Sequence, residues 1–337
     1  MTFARQRVIG ISDASGVAEA RRGVAELGEA VEFNDEVAGE LALAVTEAGT
    51  NVFKHAGSGW IAARIIERDG VQGVEVLAID KGRGIANLAA SMRDGHSTSG
   101  TSGHGLGALQ RMTSEFEVWS RAGAGTLLRF EVWPRESTAK RGELAAGVVF
   151  AQKKGEEVCG DGWAVLQGRG KLAVFVVDGL GHGLEAANAS RIAVEAVQKN
   201  VQREAAEIMD FVHAALRPTR GAAAALAMLQ PESELCTYCG IGNISASIRN
   251  ASGVRSMVSH NGTLGHQLRR IQEFQYPFKK GSLLIMHSDG LASHWDLGAY
   301  PGIEQRHPAL AAAALFRDHD RGRDDVTVLA LRNGAAA

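Results

Sequence analysis

The sequence has few cysteines, no long apolar run and no excess of charge of either sign. Its 337 residues include three cysteines, which argues against a disulfide framework. The longest apolar runs, such as residues 172–177, are far too short to span a bilayer, and residues 1–10 contain no apolar signal core. Lysine and arginine number 36, aspartate and glutamate 38, and the net charge is −2, so no overall field favours nucleic acid or a membrane surface. We therefore expect a cytoplasmic protein that binds neither.

The chain is long enough for two domains, and one polar segment divides it. A single core rarely grows beyond roughly 250–300 residues, whereas this chain has 337, of which an ordinary 45% are hydrophobic. After Trp133 the chain becomes polar and charged and starts with Pro134, which is typical of a linker. We predict domains at residues 1–136 and 145–337, joined by a linker at 137–144.

One predicted helix in the first half carries a polar face beside its apolar one. Asn34 is placed to cap this helix, whose apolar positions recur at a period close to 3.6 residues. Glu47 and Asn51 are spaced i, i+4 and share the polar face. Together they can hold a water or a nucleophile and a hydrated metal ion. A solvated surface is the alternative explanation for such a stripe on its own.

Glycines follow an acidic residue at a predicted strand end. Asp80 closes the strand and is followed by Gly82 and Gly84, and glycines let the backbone come close to a ligand. Residues 94–109 form a long polar, glycine-rich stretch, which can wrap phosphates with backbone N–H groups and close as a lid. The helix predicted to begin at Leu106 would direct its N-terminus at those phosphates.

These elements follow one another in a fixed order. The order is Glu47…Asn51 on a helix, Asp80-x-Gly82-x-Gly84, Gly103-His104-Gly105-Leu106-Gly107 and Gly125-Thr126. It resembles the Bergerat-type (GHKL) ATP-binding fold of histidine kinases and gyrases, and most of all the anti-sigma and stressosome switch kinases of bacterial stress signalling. The resemblance covers about residues 5–133. It implies an α/β sandwich in which a mixed sheet is covered by helices.

The resemblance implies a role for each matching position. Glu47 would be the general base that polarises a serine or threonine hydroxyl. Asn51 would bind the Mg²⁺ that bridges the ATP phosphates. Asp80 would accept a hydrogen bond from the adenine amino group, with Thr126 nearby through its hydroxyl or a water. The glycines would provide backbone contacts, to the base and sugar at Gly82 and Gly84 and to the phosphates at Gly103, Gly105 and Gly107.

The second half places acidic residues at predicted strand ends and turns. Asp178 follows the buried run at 172–177 and opens onto glycines, so its carboxylate would be held rigidly and left open to small ligands. Similar positions are occupied by Asp161, Asp289 and either Asp324 or Asp325. Several carboxylates with few histidines suit hard cations such as Mg²⁺ or Mn²⁺. Two such ions about 3.5–4 Å apart can activate a water and offset phosphate charge during hydrolysis.

These acidic positions also form an ordered set of motifs. The set is Gly160-Asp161, Asp178-Gly179-x-Gly181-His182-Gly183, Ser288-Asp289-Gly290 and Asp324-Asp325-x-Thr327. It resembles the PPM metal-dependent serine/threonine phosphatases, and is most similar to their bacterial SpoIIE branch. The resemblance covers about residues 145–332 and implies an α-β-β-α sandwich.

The phosphatase resemblance implies a site for two Mn²⁺ or Mg²⁺ ions. Asp178 would bridge the two ions, and the Gly179 carbonyl and Asp161 would complete the shell on one side. Asp289 and Asp324 would bind the other ion. Asp325 is the less expected ligand, because it begins the following strand.

Two features of the phosphatase half stay open. His182 matches a motif position, and both a general acid and a structural support fit it. The larger PPM enzymes bind substrate phosphate with an arginine near their N-terminus, and we match no arginine of this chain to it.

Together the resemblances predict a two-domain α/β regulator of bacterial partner switching. The N-terminal domain would use ATP and Mg²⁺ to phosphorylate serine or threonine on a STAS-domain antagonist or scaffold protein, and the C-terminal domain would remove such phosphates. In one alternative, the N-terminal domain only binds ATP and sequesters a sigma factor or partner. In another, the C-terminal domain is a pseudophosphatase, against which the complete acidic set argues. The sequence indicates neither the oligomeric state nor the upstream signal.

Overall fold

The computed structural model describes residues 6–92, 105–135, 144–168, 170–268 and 270–334. These residues fall into two compact units, one within 6–135 and the other within 144–334. The predicted linker, except for Leu144, lies outside the described residues. Across the described ranges, none of the helices has both the length and the apolar character needed to cross a membrane.

The first unit is one five-stranded sheet with helices. Its strands pair in the order β1-β2-β3-β5-β4. The strands are β1 (Gln6–Ile11), β2 (Gly59–Arg68), β3 (Val71–Asp80), β4 (Glu115–Ser120) and β5 (Thr126–Val132). The helices are α1 (Ala14–Ala30), α2 (Asp35–Ala56), α3 (Leu88–Ser91) and α4 (Leu106–Met112).

Every described strand pairing in this sheet is antiparallel, which differs from the predicted mixed sheet. For β2 and β3, the antiparallel pairing follows from a short connection. Asp69 and Gly70 form the turn between β2 and β3, and both have positive φ, 51° and 79°. A turn of this kind returns the chain antiparallel to itself. The predicted α/β class is confirmed.

Helix α2 forms because a cap and an apolar stripe agree. Asn34 is the N-cap, and its Oδ1 accepts a hydrogen bond from the Val37 N–H at 3.0 Å, as predicted. Apolar residues along one face are buried in the core of the unit, among them Val37, Leu41, Val45 and Val52. Burial of that face holds Glu47 and Asn51 on the neighbouring polar face, one turn apart.

A network of charged side chains is buried in the same sheet. Arg64 and Glu75 are direct partners across β2 and β3, and Arg64 Nε donates to Glu75 Oε2 at 2.7 Å. Arg129 on β5 donates from Nε to the other oxygen of Glu75, also at 2.7 Å. The pairing compensates the cost of burying these charges, and loss of one partner would leave an uncompensated charge.

The described residues of the second unit form two sheets and three α-helices. The first sheet is β13-β10-β9-β8-β7 with β14 added at β10, and the second is β12-β11-β15-β16-β6. The strands are β6 (Leu144–Ala151), β7 (Asp161–Gly168), β8 (Lys171–Gly179), β9 (Ala222–Gln230), β10 (Leu235–Ile241), β11 (Ser245–Asn250), β12 (Gly253–Ser256), β13 (Ser259–His260), β14 (Phe274–Pro277), β15 (Leu283–His287) and β16 (Val326–Asn333). The helices are α5 (Leu184–Asn200), α6 (Ala205–Leu216) and α7 (Pro308–His319).

The helices cover the outer faces of the two sheets. Helices α5 and α6 pack on β7, β8, β9 and β10, whereas α7 packs on β6 and β16 of the other sheet. Contacts between β7 and β16 join the two sheets. The predicted α-β-β-α sandwich is therefore confirmed. Its layers bring together the start of β7, the ends of β8 and β15 and the start of β16.

Candidate nucleotide and metal sites

Asp80 is the last residue of β3 and is nearly buried, with 9% of its surface exposed. Its Oδ1 accepts hydrogen bonds from the Gly82 N–H at 2.8 Å and from the Thr126 N–H at 3.1 Å. The structure thus brings Asp80 and Thr126 together through the Thr126 backbone. The Thr126 hydroxyl lies 3.0 Å from Ser120 Oγ. Two backbone donors fix the position of the Asp80 carboxylate.

The glycines after Asp80 are needed by the backbone itself. A Cβ on Gly82 would lie 2.7 Å from Ala56 Cβ, at the end of α2. Gly84 has a φ of 67°, and a Cβ there would overlap the Arg121 carbonyl oxygen. These close approaches join the β3 end to α2 and to the β4–β5 turn. They explain both glycines without a ligand.

Glu47 and Asn51 are in direct contact on α2. Asn51 Nδ2 lies 3.2 Å from Glu47 Oε1 and donates a hydrogen bond to it. Both side chains are half-buried. Because the amide nitrogen of Asn51 faces Glu47, the Asn51 Oδ1 atom is the one that can bind a cation. The carboxylate and the amide oxygen are therefore presented side by side.

The remaining predicted nucleotide contacts lie at α4. Gly105 is the N-cap of this helix and accepts from the Ala108 N–H at 2.9 Å, and Gly107 is buried in its first turn. Gly103 and most of the predicted lid fall outside the described residues.

Asp161 and Asp178 face each other in the second unit. They are register partners across β7 and β8, so their side chains lie next to each other on one face of the sheet. Asp161 is 2% exposed and its Oδ2 accepts from Ser288 Oγ at 2.6 Å. Asp178 is half-buried. Asp161 and Asp178, both predicted metal ligands, are thus adjacent in the sheet.

Gly179 lies where β8 meets α5. Its N–H donates to the Gly160 carbonyl at 3.2 Å. A Cβ at Gly179 would overlap the Ala186 carbonyl oxygen of α5. This close packing admits only glycine and fixes the direction of the peptide that follows Asp178.

Asp289 is held by a residue to which the sequence analysis assigns no role. Asn243 Nδ2 donates to Asp289 Oδ2 at 2.8 Å. Ser288 is a second such residue. Its Oγ donates a hydrogen bond to Asp161 and accepts one from the Thr327 N–H at 3.0 Å. Ser288 therefore links β7, β15 and β16. The sequence feature that could have identified Ser288 is its position in the Ser288-Asp289-Gly290 motif.

The two adjacent aspartates before β16 differ in environment. Asp324 is exposed, and its Oδ1 accepts from the Asp325 N–H at 3.0 Å. Asp325 is 3% exposed, and its Oδ1 accepts from the Lys153 N–H at 2.8 Å. A Cβ on Gly160 would lie 2.7 Å from Asp325 Oδ2. Asp325 thus anchors the β6–β7 connection beside Asp161, whereas Asp324 is exposed and its charge contributes to raising the pKa of Asp178.

Electrostatics at this site favour a cation. Burial, followed by the charges of the neighbouring aspartates, raises the pKa of Asp178 well above its usual range. Burial likewise raises the pKa of Asp161 and the pKa of Asp325. Carboxylates whose negative charges disfavour one another form an all-oxygen donor set, which suits Mg²⁺ or Mn²⁺. Within the described residues, however, no three His, Cys, Asp or Glu side chains stand close enough to hold a metal ion as a group.

His182 is paired at the surface. Its Nδ1 lies 2.6 Å from Glu156 Oε1, and the imidazole is about half exposed. A Cβ on Gly183 would lie 2.8 Å from Glu156 Oε2, so the glutamate packs against the same turn. The pair orients the His182 ring beside the turn that follows Asp178.

Comparisons with known proteins agree with both halves of this picture. The family described as Stage II sporulation protein E (SpoIIE) matches residues 168–333, and the histidine kinase-like ATPase domain family matches residues 12–132. Phosphoserine phosphatase RsbX of Bacillus subtilis (strain 168) is 30% identical over 141 residues, which cover 41% of this chain and 70% of that protein. Serine/threonine-protein kinase RsbT of the same organism is 36% identical over 95 residues, or 28% of this chain and 71% of that protein. The chain belongs to both families.

Solved structures extend the agreement to the fold. One from "The bacterial stressosome: a modular system that has been adapted to control secondary messenger signaling" is 29% identical, with a TM-score of 0.54 over 57% of this chain and 100% of that chain. RsbX in complex with magnesium has a TM-score of 0.51 at 22% identity, over 57% of this chain and 96% of that chain, which shows a shared fold.

Both predicted resemblances are confirmed. The protein combines a histidine kinase-like ATPase domain with a SpoIIE-type PPM serine/threonine phosphatase domain, an architecture of the partner-switching kind. ATP is the ligand of the first family, and Mg²⁺ or Mn²⁺ serves the second.

Proposed function

We propose that the protein phosphorylates serine or threonine on a STAS-type antagonist or scaffold partner and also hydrolyses such phosphates. One observation supports this above all. A single chain joins a region 36% identical to a serine/threonine kinase and a region 30% identical to a phosphoserine phosphatase. The product of the first activity belongs to the substrate class of the second. We place the protein in the cytoplasm with these partners, and we propose domain limits of 1–136 and 145–337.

In the N-terminal domain, contacts on α2 and at the end of β3 support the assigned roles. Asn51 Oδ1 would bind Mg²⁺ at the ATP phosphates. Glu47, which accepts a hydrogen bond from the Asn51 amide nitrogen, would receive the proton of the substrate hydroxyl. Asp80, which already accepts hydrogen bonds from two backbone N–H groups, would accept another from the adenine amino group. Backbone at Gly82, Gly84, Gly103, Gly105 and Gly107 would line the nucleotide, and Thr126 would stand beside the base.

In the C-terminal domain, the carboxylates would hold two divalent cations. Asp178 would contact both ions, and Asp161 with the Gly179 carbonyl would complete one side. The other ion would be held by Asp289 and Asp324. When bound, such ions lower the pKa of water and stabilise charge on a transferring phosphoryl group. Ser288 and Asn243 would orient Asp161 and Asp289 through the hydrogen bonds described above.

Asp80→Asn is expected to weaken ATP binding by about 10- to 100-fold, because a hydrogen bond to a charged group is lost. The remaining side-chain oxygen would still accept hydrogen bonds from the Gly82 and Thr126 N–H groups. The substitution therefore replaces the other carboxylate oxygen, which would face adenine, with an NH₂ group. This donor would then meet the adenine amino group, which is also a donor. Calorimetric titration with ATP and Mg²⁺ measures the change.

Asp69→Asn is the matched control, since Asp69 lies in the β2–β3 turn at positive φ, which asparagine tolerates. Its affinity for ATP should equal that of the wild type. An unchanged affinity in Asp80→Asn would remove Asp80 from the nucleotide site.

A time course with candidate STAS proteins tests the combined function. With ATP and Mg²⁺, phosphate is expected on serine or threonine of the partner. After removal of ATP and addition of Mn²⁺, the same phosphate should appear in solution. Phosphoprotein gels and a free-phosphate assay follow the two stages. Absence of transfer to every candidate would count against the kinase half, and would favour a domain that binds ATP and sequesters its partner.

A further inference from the structure

Arg220 lies directly against the turn that follows Asp178. A Cβ on Gly181 would be 3.1 Å from Arg220 Nη1. The β8–β9 pairing explains this position. Gly179 pairs with Ala222, and the Leu180 N–H donates to the Gly221 carbonyl at 3.0 Å. The ladder therefore continues past the strand ends and brings residue 220 opposite residue 181.

The loop that carries Arg220 is firmly held. The Gly221 N–H donates to Thr219 Oγ1 at 3.0 Å, and His266 Nε2 lies 3.1 Å from the Thr219 carbonyl oxygen. Gly221 has a φ of 84°, and a Cβ there would lie 2.8 Å from the His266 ring. The backbone on both sides of Arg220 is thus fixed, whereas its side chain is 54% exposed.

Among the described residues, Glu185 is the side chain that pairs with Arg220, and this pair is exposed to solvent. Arg220 Nε contacts Glu185 Oε2 in the first turn of α5, and Glu185 is 67% exposed. A surface ion pair of this kind contributes little to stability, because solvent screens both charges. A phosphate dianion offers a guanidinium two parallel charge-assisted hydrogen bonds and a larger charge. Phosphate would therefore displace Glu185 from Arg220.

We infer that Arg220 binds the phosphate of the substrate at the phosphatase site and positions it over the Asp178–Gly181 turn. The inference rests on the proposed phosphatase function. The carboxylate groups that would hold the cations repel a phosphate, and Arg220 supplies a positive side chain at the turn that follows Asp178. Glu185 holds the guanidinium over the turn until phosphate replaces it. Arg323, which precedes Asp324 in the sequence, is the rival cation for this role.

Arg220→Ala is expected to raise KM by about 10- to 100-fold, for a phosphoserine peptide and for p-nitrophenyl phosphate alike. The value of kcat and the apparent affinity for Mn²⁺ should change little. Arg220→Lys should recover only part of the loss, because an ammonium group cannot bind phosphate in a bidentate manner. Glu185→Gln should lower KM, since its carboxylate competes with phosphate.

Arg191→Ala is the matched control. Arg191 lies on α5, is exposed to a similar degree as Arg220 and pairs with Glu195 one turn away. The inference would be overturned if Arg191→Ala raised KM as much as Arg220→Ala does. It would also be overturned if Arg323→Ala raised KM more than Arg220→Ala does. An unchanged KM in Arg220→Ala would overturn it too, as would a Glu185→Gln variant as impaired as Arg220→Ala.

Binding of inorganic phosphate to the Mn²⁺-loaded full chain separates this inference from the proposed function. Calorimetry should show weaker binding in Arg220→Ala than in the wild type, whether or not the protein turns over substrate. A wild type that binds phosphate through Arg220 without hydrolysing any phosphoester would contradict the function alone. Equal phosphate affinity in an active wild type and in Arg220→Ala would contradict the inference alone.

Discussion

Asp178→Asn is expected to lower phosphatase activity by about 1000-fold or more and, at the same time, to stabilise the metal-free protein. Asp178 is the proposed shared ligand of both cations, and metal ions contribute several kcal/mol at a transferring phosphoryl group, at about 1.4 kcal/mol per tenfold in rate. Its carboxylate lies beside Asp161 across β7 and β8. The neutral amide keeps the size of the side chain and needs no bound proton to avoid a negative charge beside Asp161.

The stability effect has a defined pH dependence. Burial and neighbouring aspartates raise the folded-state pKa of Asp178 above that of the unfolded chain. The folded state therefore holds this proton more tightly, and the metal-free protein loses stability as pH rises above the ordinary aspartate pKa of about 4. Asp178→Asn removes this loss. Its gain in unfolding free energy should be on the order of 1–2 kcal/mol at about pH 8 and smaller at about pH 5.

Hydrolysis of p-nitrophenyl phosphate with Mn²⁺ measures the activity, and thermal melts in EDTA at both pH values measure the stability. Asp210→Asn, on the exposed face of α6, is the control and should change neither. Substantial activity in Asp178→Asn would exclude Asp178 as a metal ligand. A lower melting temperature of the metal-free variant would contradict the electrostatic account.

Glu47→Gln is expected to reduce phosphate transfer to the partner by about 100- to 10,000-fold, the contribution of a positioned general base. Asn51 Nδ2 donates a hydrogen bond to Glu47 Oε1 at 3.2 Å. Glutamine keeps a side-chain oxygen that can accept this hydrogen bond. Asn51 should therefore stay in place, and ATP affinity should remain close to that of the wild type. The separation of transfer from binding distinguishes a kinase from a domain that only binds ATP.

Transfer is measured by radiolabelled phosphate on the partner, and ATP binding by calorimetry. Glu40→Gln is the matched control on the same helix, because Glu40 pairs with Arg135 at the surface. It should leave both quantities unchanged. Transfer at the wild-type rate in Glu47→Gln would exclude Glu47 as the base. Loss of ATP affinity together with transfer would assign it to binding.

Local patterns allowed a large part of both domains to be predicted. The cap at Asn34 and the apolar period of α2 placed Glu47 and Asn51 on one helical face, and the contact between them follows from a spacing of four residues. Asp80 and Asp178 stand at the ends of buried strands, as predicted. These features depend on neighbours in the chain, which periodicity and turn residues describe.

Strand pairing was less predictable where it joins distant segments. The first sheet is antiparallel in all its described pairings rather than mixed. Charged residues on β2, β3 and β5 meet in a buried network because Arg64 and Glu75 are register partners. Alternation along one strand predicts which residues share a face, but it does not predict which strand lies alongside.

The sequence by itself determined the two families, the order of the motifs and the residue types at the strand ends, because each is a pattern of nearby residues. Only the tertiary structure decided which distant residues touch. Ser288 Oγ reaches Asp161 across 127 positions in the chain, and the Lys153 N–H reaches Asp325 across 172. Arg220 likewise meets Gly181 through the register of β8 and β9. Such contacts depend on how the strands align and how the two sheets stack, and no local pattern encodes that alignment.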